Sequence, residues 1–280
     1  MSIELPEAYI LAKQMNKELP RKEIIDFKLQ NHEKLQKLGF INKDSSIFNE
    51  LRGSTIETVI SRGNVICLKL NHGMNLILAP EYGGIILYSP EKSDVPAKFH
   101  LSLAFTDNSH LSVVLTGMGV IQAFKDENLE KSYVYRRDFS ETISPIDDAR
   151  FTLENFSKEL IDRTVNIKTV LVGKDAILVG LSNNIFQDIL YRAMIHPKKK
   201  ASDLDEERRS MLYNVIKSVV QERIKLGGKF QCMDLYGNQG SYIPAMGSNM
   251  KDKICTICGT GIEKISLGGG QIYFCPKCQR

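Results

Sequence analysis

Two Cys-x-x-Cys pairs near the end of the sequence constrain its structure more than any other feature. Cys255 and Cys258 form the first pair, sixteen residues follow, and Cys275 and Cys278 form the second pair. Each pair suits a turn that directs two sulfur atoms to one point, and Zn²⁺ prefers four thiolates in a tetrahedron at about 2.3 Å. The pattern therefore predicts a closed, structural zinc site. A disulfide framework is the alternative that the spacing leaves open.

The residues between the two pairs predict a two-stranded β-hairpin. Ile262–Ile265 and Gln271–Phe274 are short segments of β type, and Gly268-Gly269-Gly270 lies between them as a flexible tip. A zinc ion that is closed in by four thiolates has no open coordination position. We therefore expect this metal to shape the chain and to take no part in catalysis.

Charge is concentrated in the same terminal segment. The whole chain carries a net charge of only +4, which is too small to imply a polyanionic partner. Residues 250–280 hold five basic and two acidic side chains, which leaves +3. These side chains are Lys251, Lys253, Lys264, Lys277 and Arg280 against Asp252 and Glu263. Charge alone favours phosphate binding and an ordinary solvated surface about equally.

Length and composition indicate a globular protein of two ordinary domains. The chain has 280 residues, of which 42% are hydrophobic and 25% charged. No apolar run approaches the length of a membrane span, and the start, Met1-Ser2-Ile3-Glu4, lacks the basic and apolar regions of a signal peptide. We therefore expect a cytoplasmic protein without a membrane partner, in which the remaining cysteines, Cys67 and Cys232, are reduced.

Hydrophobic periodicity predicts an α+β fold that begins with a helix and continues as a β-sandwich or barrel. In Pro6–Leu19 the apolar residues fall on one face of a 3.6-residue period. Glu4 lies just before this helix, where backbone amides can hold its carboxylate; simple capping is the alternative reading. Short β-branched segments separated by turn signals follow. They are Thr55–Ile60, Val65–Leu70, Leu76–Leu78, Ile85–Tyr88, Leu101–Phe105, Leu111–Leu115 and Val120–Phe124.

The second half of the sequence is helical. Thr152 is a predicted helix cap, Ser182–Met194 is a second helix, and Ser202 caps a third, with Asp205 three positions on. Gly227-Gly228 ends the third helix. We predict an N-terminal β-sandwich domain over residues 1–124, an irregular linker over 125–149, a helical domain over 150–249 and a zinc finger over 250–280.

Four groups of residues occur in a fixed order along the chain. They are Glu4-Leu5-Pro6-Glu7; Leu51-Arg52-Gly53 with Ser61-Arg62-Gly63-Asn64; Gly180-Leu181-Ser182-Asn183 with Tyr191-Arg192-Ala193-Met194-Ile195-His196-Pro197; and Tyr273-Phe274-Cys275-Pro276-Lys277-Cys278-Gln279-Arg280. Together they resemble the formamidopyrimidine-DNA glycosylase / endonuclease VIII family over nearly the whole chain. The resemblance implies a leading helix and β-sandwich, then a helix–two-turn–helix domain and a zinc-finger hairpin.

The resemblance also implies a function in base excision on double-stranded DNA. Such enzymes bend DNA, flip a damaged base into a pocket and cleave its glycosidic bond. Their usual nucleophile is an N-terminal proline amine, which forms a Schiff base with the sugar. Glu4 matches the family's acid/base, and Glu7 matches the glutamate that organises the terminus. Asn183 matches a phosphate-contacting asparagine at a helix N-terminus.

The catalytic nucleophile departs from the family pattern. Ile3 stands where the proline is expected, and Ser2 is an additional residue. If Met1 is removed, the free amine belongs to Ser2, which lies up to about 3.5 Å of chain further out. A misplacement of about 1 Å can cost about 10²-fold in rate. The resemblance therefore predicts that the usual chemistry is impaired or replaced.

Positions that handle DNA depart as well. Asn64 replaces a lysine, and Gly270 replaces a phosphate-binding arginine, with Gln271 next to it as a weaker phosphate contact. The family's arginine and phenylalanine that fill the void in the duplex fall near residues 116–119, which contain neither. Tyr82 aligns with a void-filling methionine and could wedge into the base stack.

Three hypotheses follow from these matches and departures. In the first, the protein is an altered DNA glycosylase in which Glu4 activates water or stabilises an oxocarbenium ion, or in which the Ser2 amine replaces proline. In the second, it binds bent or damaged DNA without catalysis. In the third, it has no DNA role. Asn183 and the basic hairpin with Lys264 argue against this third hypothesis. We expect a monomer that works at the nucleoid.

Overall fold

The computed structural model describes residues 3–173 and 175–280, which form two compact units. The first unit comprises Met1–Ser140 and Leu226–Ser241, and the second comprises Glu141–Lys225 and Tyr242–Arg280. The predicted candidate Ser2 lies outside the described residues. Within the described part of the chain, no helix combines the length and the apolar character that a membrane span needs.

The strands of the first unit form two four-stranded antiparallel sheets. They are β1 Ile24–Leu29, β2 Ile56–Arg62, β3 Val65–Leu70, β4 Met74–Pro80, β5 Ile85–Ser89, β6 Leu101–Phe105, β7 His110–Val114 and β8 Gly119–Lys125. One sheet has the order β1-β6-β7-β5 and the other β2-β3-β4-β8. Strand β1 and the short helix α2 (His32–Lys37) occur in a stretch where no sequence pattern predicted an element.

One hydrophobic core lies between the two sheets. Leu68 and Leu78 from the second sheet and Leu103 and Val113 from the first belong to the same buried cluster. Residues that alternate with them on strands β3 and β4 point to the opposite face, because side chains in a strand alternate between faces. This arrangement confirms the predicted α+β class with an N-terminal sandwich.

The outer face of the second sheet is covered by a segment that the sequence analysis assigned to an irregular linker. Residues Asp126–Lys131 form a 3-10 turn and Tyr133–Asp138 form helix α3. Val134 and Tyr135 pack against Cys67 and the other residues of this face. The prediction of an irregular linker was therefore wrong over these residues. Cover on both faces also explains why every residue of β4 is buried and why the strand is apolar except at Asn75.

Helix α1 (Leu5–Glu18) confirms the first predicted helix and packs against β2. Its buried face includes Ala8, Leu11 and Met15, which contribute to the core of the first unit. The side chain of Asn16 accepts a hydrogen bond of 2.8 Å from the Val59 backbone N–H and thereby fixes the helix to the strand.

The second unit contains the predicted helices and one that was not predicted. They are α4 Leu153–Ile161, α5 Ile167–Leu171, α6 Asn183–Arg192 and α7 Glu206–Lys225. Thr152 Oγ1 accepts from Asn155 N at 3.2 Å, so the predicted cap of α4 is confirmed. The predicted cap of α7 was wrong. Ser202 lies in a separate 3-10 turn, and Asp205 caps α7 by accepting from Arg208 N at 2.8 Å. A carboxylate at that point also matches the positive end of the helix.

The predicted terminal hairpin is confirmed. Strands β9 (Glu263–Leu267) and β10 (Gly270–Phe274) pair antiparallel, with Leu267 opposite Gly270. The two residues between them, Gly268 and Gly269, both have positive φ, as a tight two-residue hairpin turn requires.

Residues 226–241 pack in the first unit, although the sequence analysis included them in the helical domain. Leu235 is fully buried in the core of the first unit, and its carbonyl oxygen accepts from Tyr88 N at 2.9 Å. We refer to residues 226–241 as the returning segment. Its place in the first unit depends on contacts between distant parts of the chain, which no local sequence pattern indicates.

Candidate functional site

Glu4 and Glu7 form a reciprocal pair at the start of helix α1. Glu4 is the N-cap residue in an extended conformation, and the two residues form a capping box. The Glu4 backbone N–H donates to Glu7 Oε2 at 3.1 Å. The two residues are buried, with exposed fractions of 1% and 3%. The helix N-terminus stabilises negative charge, so this site can hold two carboxylates in a buried position.

Lys229 of the returning segment lies against both carboxylates. Its Nζ is 3.3 Å from Glu4 Oε2, and its backbone N–H donates to Glu7 Oε1 at 3.0 Å. The side chain of Lys229 is 1% exposed, and lysine is rarely buried to this extent unless it is paired. No sequence pattern indicated Lys229, because a single lysine after Gly227-Gly228 belongs to no periodic pattern or motif.

Two glycines of the returning segment permit this close approach. A Cβ atom at Gly228 would lie 3.1 Å from Glu7 Cγ, and Gly228 has a φ of +90°. A Cβ atom at Gly240 would lie 2.2 Å from the Gly228 carbonyl oxygen. Both positions therefore require glycine, and the backbone that carries Lys229 is held directly beside Glu7.

The rest of the returning segment is bonded along helix α1. Gln14 Nε2 donates to Asp234 Oδ2 at 3.0 Å, and Gln14 Oε1 accepts from Leu235 N at 2.9 Å. The Tyr236 hydroxyl donates to Glu18 Oε1 at 2.7 Å. Partial burial and the hydrogen bond to the Glu18 carboxylate raise the pKa of Tyr236 to about 12. The segment is thus fixed to the beginning, middle and end of the helix.

Asn64, the predicted DNA contact between β2 and β3, is bonded to helix α3. Its backbone N–H donates to Asp138 Oδ2 at 2.9 Å, and its side-chain Oδ1 accepts from Arg137 Nη2 at 2.5 Å. The Arg137 side chain is 37% exposed and also pairs with the buried Asp138. A cation therefore lies beside the position where the sequence analysis found a lysine missing. Arg137 was not predicted, because it follows Asn64 by 73 residues.

Tyr82 lies next to the turn that contains residues 116–119. The Thr116 hydroxyl donates to the Tyr82 carbonyl oxygen at 2.7 Å, and Glu81 N donates to the Met118 carbonyl oxygen at 3.1 Å. Tyr82 is 56% exposed and Met118 is 48% exposed. Two large apolar side chains thus project from adjacent turns. Met118 was not predicted as a DNA contact, because residues 116–119 contain neither the arginine nor the phenylalanine with which the family fills the void in the duplex.

In the second unit, Asn183 is the first residue of helix α6 and lies against the hairpin. A Cβ atom at Gly270 would be 2.2 Å from Asn183 Nδ2. The neighbouring Gln187 bridges the same two elements: its Nε2 donates to the Asn183 carbonyl oxygen at 2.6 Å and its Oε1 accepts from Tyr273 N at 2.7 Å. The structure therefore brings Asn183 together with the hairpin.

The other predicted hairpin contacts, Lys264 and Gln271, are exposed. Gln271 Nε2 donates to Ser266 Oγ at 3.0 Å. An additional lysine, Lys168 of α5, is buried and donates from Nζ to the carbonyl oxygens of Leu267 and, at 2.8 Å, Gly268. Burial lowers the pKa of Lys168. These bonds hold the hairpin turn in a defined position.

The four cysteines converge, as the spacing predicted. The sulfur atoms of Cys255, Cys258, Cys275 and Cys278 all lie within 4.8 Å of one another. Two sulfur–sulfur distances are 3.8 Å and 3.5 Å, close to the edge of about 3.8 Å in a tetrahedron with metal–sulfur bonds of about 2.3 Å. They are far longer than a disulfide bond of about 2.05 Å. The donor set therefore fits a metal ion that prefers thiolates.

Helix α6 supports this cysteine cluster. The Tyr191 hydroxyl is 3.2 Å from Cys255 Sγ and 3.1 Å from Thr256 Oγ1. The His196 ring, just after the helix, packs edge-on against Phe274 with 4.8 Å between ring centres. Hydroxyl groups that contact thiolate ligands orient them and stabilise their charge. The hairpin that carries Lys264 and Gln271 is thus fixed to the helix that presents Asn183.

Two family models match the chain. Residues 3–116 match the formamidopyrimidine-DNA glycosylase N-terminal domain, and residues 143–233 match the formamidopyrimidine-DNA glycosylase H2TH domain. The chain is similar to a protein of Lactococcus lactis subsp. cremoris named formamidopyrimidine-DNA glycosylase, at 25% identity over 99% of each chain. It is also similar to a protein of that name from Bacillus cereus, at 29% identity over 84% of this chain and 85% of the other.

Solved structures share the fold. The chain is similar to Lactococcus lactis Fpg in a complex with DNA that contains an abasic site, with a TM-score of 0.84 and 23% identity over 99% of each chain. A second similar structure is Lactococcus lactis Fpg in a complex with DNA that contains FAPY-dG, with a TM-score of 0.79 and 24% identity over 99% of this chain and 100% of the other.

Proposed function

Because the chain belongs to the formamidopyrimidine-DNA glycosylase / endonuclease VIII family, we propose that it excises damaged bases from double-stranded DNA. The observation that carries this proposal is the buried Glu4 carboxylate at the start of α1, next to Glu7 and Lys229. The names of its relatives and the DNA in the similar solved structures support the same substrate class. We also propose that the protein is a monomer that acts on nucleoid DNA in the cytoplasm.

In this proposal Glu4 is the general acid or base of the reaction. A buried carboxylate held at a helix N-terminus can pass a proton to the departing base or accept one from an attacking group. Glu7 positions Glu4 by accepting from its backbone N–H at 3.1 Å. Ile3 stands at the position of the usual proline, and its side chain is buried in the core, 4% exposed. The nucleophile is therefore not the usual proline amine.

Each unit contributes groups for DNA binding. In the first unit, Arg137 beside Asn64 provides the cation for a phosphate, and Tyr82 and Met118 are the side chains that enter the base stack where the damaged nucleotide leaves it. Apolar wedges of this kind make a bent duplex favourable, because they fill the space between unstacked bases.

The second unit binds phosphates with the N-terminus of helix α6 and the hairpin. Asn183, together with the backbone amides of the first helical turn, forms an anion site, and the exposed Lys264 and Gln271 are adjacent polar contacts on the hairpin. One zinc ion would fix the hairpin, held by the four thiolates of Cys255, Cys258, Cys275 and Cys278. Such an ion would supply structural stability and no reaction chemistry.

The test is base release from a panel of duplexes. The panel contains oxidised purines, formamidopyrimidines, uracil, alkylated bases and an abasic site, and released bases are measured by mass spectrometry. Glu4→Gln is expected to reduce release at least about 10²-fold, because it removes the proton-transfer group. Glu57→Gln, on the exposed face of β2, is the matched control and should retain activity.

A second candidate function is binding of damaged DNA without catalysis. Ile3 at the proline position and Gly270 at the arginine position favour it. Salt-dependent duplex binding without base release across the whole panel would support this candidate and refute the glycosylase. Absence of duplex binding even at low salt would refute both, since phosphate contacts give affinity that is strongest at low salt.

A further inference from the structure

We propose that the side-chain amine of Lys229 is the nucleophile that attacks C1′ of the damaged nucleotide. This inference rests on the proposed glycosylase function and names the group that replaces the N-terminal amine. Lys229 is the residue whose Nζ lies 3.3 Å from Glu4 Oε2, with both side chains 1% exposed. Neither the family resemblance nor the sequence pattern had indicated a lysine at this point.

The geometry suits a nucleophile and its acid/base partner. The amine and the carboxylate must both reach the same sugar. Lys229 Nζ and Glu4 Oε2 are 3.3 Å apart. At this separation the amine can contact C1′ while the carboxylate contacts the atoms that gain or lose protons. Amines form covalent intermediates with sugar aldehydes and hemiacetals, and lysine is the residue that forms Schiff bases most often. A neighbouring carboxylate also gives the ammonium group an acceptor for its proton before attack.

Lys229 is fixed in position more firmly than an ordinary loop residue. Its backbone N–H is bonded to Glu7, and the preceding Gly228 is packed so closely between Glu7 and Gly240 that a Cβ atom at either glycine would clash. Gln14 and Glu18 hold the remainder of the returning segment along α1. A nucleophile held by packing and hydrogen bonds needs little reorganisation before it reacts.

The reaction balances with this chain and water alone. The Nζ lone pair forms the bond to C1′ while the C1′–N bond to the base breaks, and the base leaves with the bonding pair and takes a proton from Glu4 or water. Nζ becomes positively charged when it bonds to C1′, so it first loses a proton to water and regains a lone pair. That lone pair forms C1′=N as the C1′–O4′ bond breaks and O4′ takes a proton from water. Glu4 or water then removes a proton from C2′, the electron pair of that C–H bond forms C2′=C3′, and the C3′–O bond breaks so that the 3′ phosphate leaves. Water finally hydrolyses C1′=N, which releases the sugar aldehyde and restores the Lys229 amine. Because Nζ is covered in the free protein, the surrounding chain must open when the nucleotide enters.

The decisive experiment maps the covalent intermediate in the unmodified protein. The protein is incubated with a duplex that carries an abasic site, or a lesion from the panel that it releases, in the presence of borohydride. Borohydride delivers hydride to C1′ and converts the iminium to a stable amine. After digestion with protease and nuclease, mass spectrometry should locate the sugar remnant on the peptide that contains Lys229. A remnant on the N-terminal peptide would overturn the inference.

Variants separate chemistry from a purely structural charge pair. Lys229→Arg keeps a positive charge beside Glu4, but a guanidinium does not lose its proton and forms no Schiff base. Trapped product should fall at least about 10²-fold, while the melting temperature and the duplex affinity stay near those of the wild type. Lys225→Arg, at an exposed lysine, is the matched control and should trap normally. A protein with an extended N-terminus should also trap normally.

The inference and the proposed function fail differently. Base release without any trapped adduct, or a Lys229→Arg variant that still traps at the wild-type rate, would refute Lys229 as the nucleophile and leave the glycosylase standing. Absence of both base release and adduct would refute the two together, whether or not the duplex binds.

Discussion

The side-chain amide of Asn183 occupies the space that any side chain at position 270 would need. A Cβ atom at Gly270 would lie 2.2 Å from Asn183 Nδ2 and 3.0 Å from its Cγ, and real Cβ atoms do not approach neighbours at the shorter distance. A side chain at position 270, where the resemblance led us to expect an arginine, would therefore have to displace the Asn183 amide.

We expect Gly270→Ala to destabilise the hairpin and to displace Asn183. Overpacking of this kind costs about 1–3 kcal/mol, and the displaced amide should weaken duplex binding several-fold. Thermal unfolding and fluorescence anisotropy with a labelled duplex measure the two effects. Gly261→Ala is the matched control in the same finger, since a Cβ atom there meets nothing within 4 Å. Equal effects of the two substitutions would contradict the packing argument.

We expect one zinc ion per chain, measured by elemental analysis, and loss of duplex affinity when a chelator removes it. The four thiolates repel one another without a cation, so the hairpin with Lys264 and Gln271 should lose its fixed position. A thiol reagent should then modify four additional cysteines. Cys67 should stay unmodified in the folded protein, because burial raises the pKa of its thiol to about 11.

A chelated protein that keeps its duplex affinity would show that DNA binding does not depend on the finger. Cys258→Ser provides an independent check, since it removes one ligand without a chelator and should reduce both zinc content and duplex affinity.

Alkaline pH should loosen the returning segment. Partial burial and the bond to Glu18 raise the pKa of Tyr236 to about 12, against about 10 in an unfolded chain. The neutral hydroxyl therefore contributes stability that is complete below about pH 10 and is lost as pH rises towards 12. Tyr236 is 44% exposed, and solvent screening limits this contribution to under about 1 kcal/mol.

Hydrogen exchange of residues 226–241 between pH 9 and 11, corrected for intrinsic rates, measures this loosening. Tyr236→Phe should show faster exchange at pH 9 and a smaller additional change with pH. An unchanged pH dependence in this variant would show that another group controls the segment.

Arg137→Gln should weaken duplex binding a few-fold and reduce the slope of log affinity against log salt by about 0.9, which corresponds to one phosphate contact. Arg137→Lys keeps the cation next to Asn64 and should retain most of the slope. Arg136→Gln, in the same helix, is the control, and the slope is measured by anisotropy between 50 and 200 mM salt, a range of about 0.6 log units. If Arg137→Gln leaves the slope unchanged, Arg137 does not contact a phosphate and is not part of the DNA interface.

The sequence by itself determined the features that depend on local spacing. The distance between the cysteine pairs predicted the converging sulfur atoms, and the glycines between β-type segments predicted the hairpin. Periodicity predicted helix α1 and most strands of the sandwich, because the faces of a helix or a strand repeat along the chain. Glu4 could be assigned to the site because its position just before a helix is itself a local property.

The tertiary structure alone decided which residues complete the site. Lys229 is 225 residues from Glu4, and Arg137 is 73 residues from Asn64. Helix α3 forms where the sequence is charged and irregular, because the outer face of the second sheet offers Cys67 and its neighbours as a packing surface. Periodicity shows which face of an element is buried, but no period or motif in the sequence specifies which distant residues meet when whole elements pack. The carboxylate could therefore be predicted, but the buried amine beside it could not.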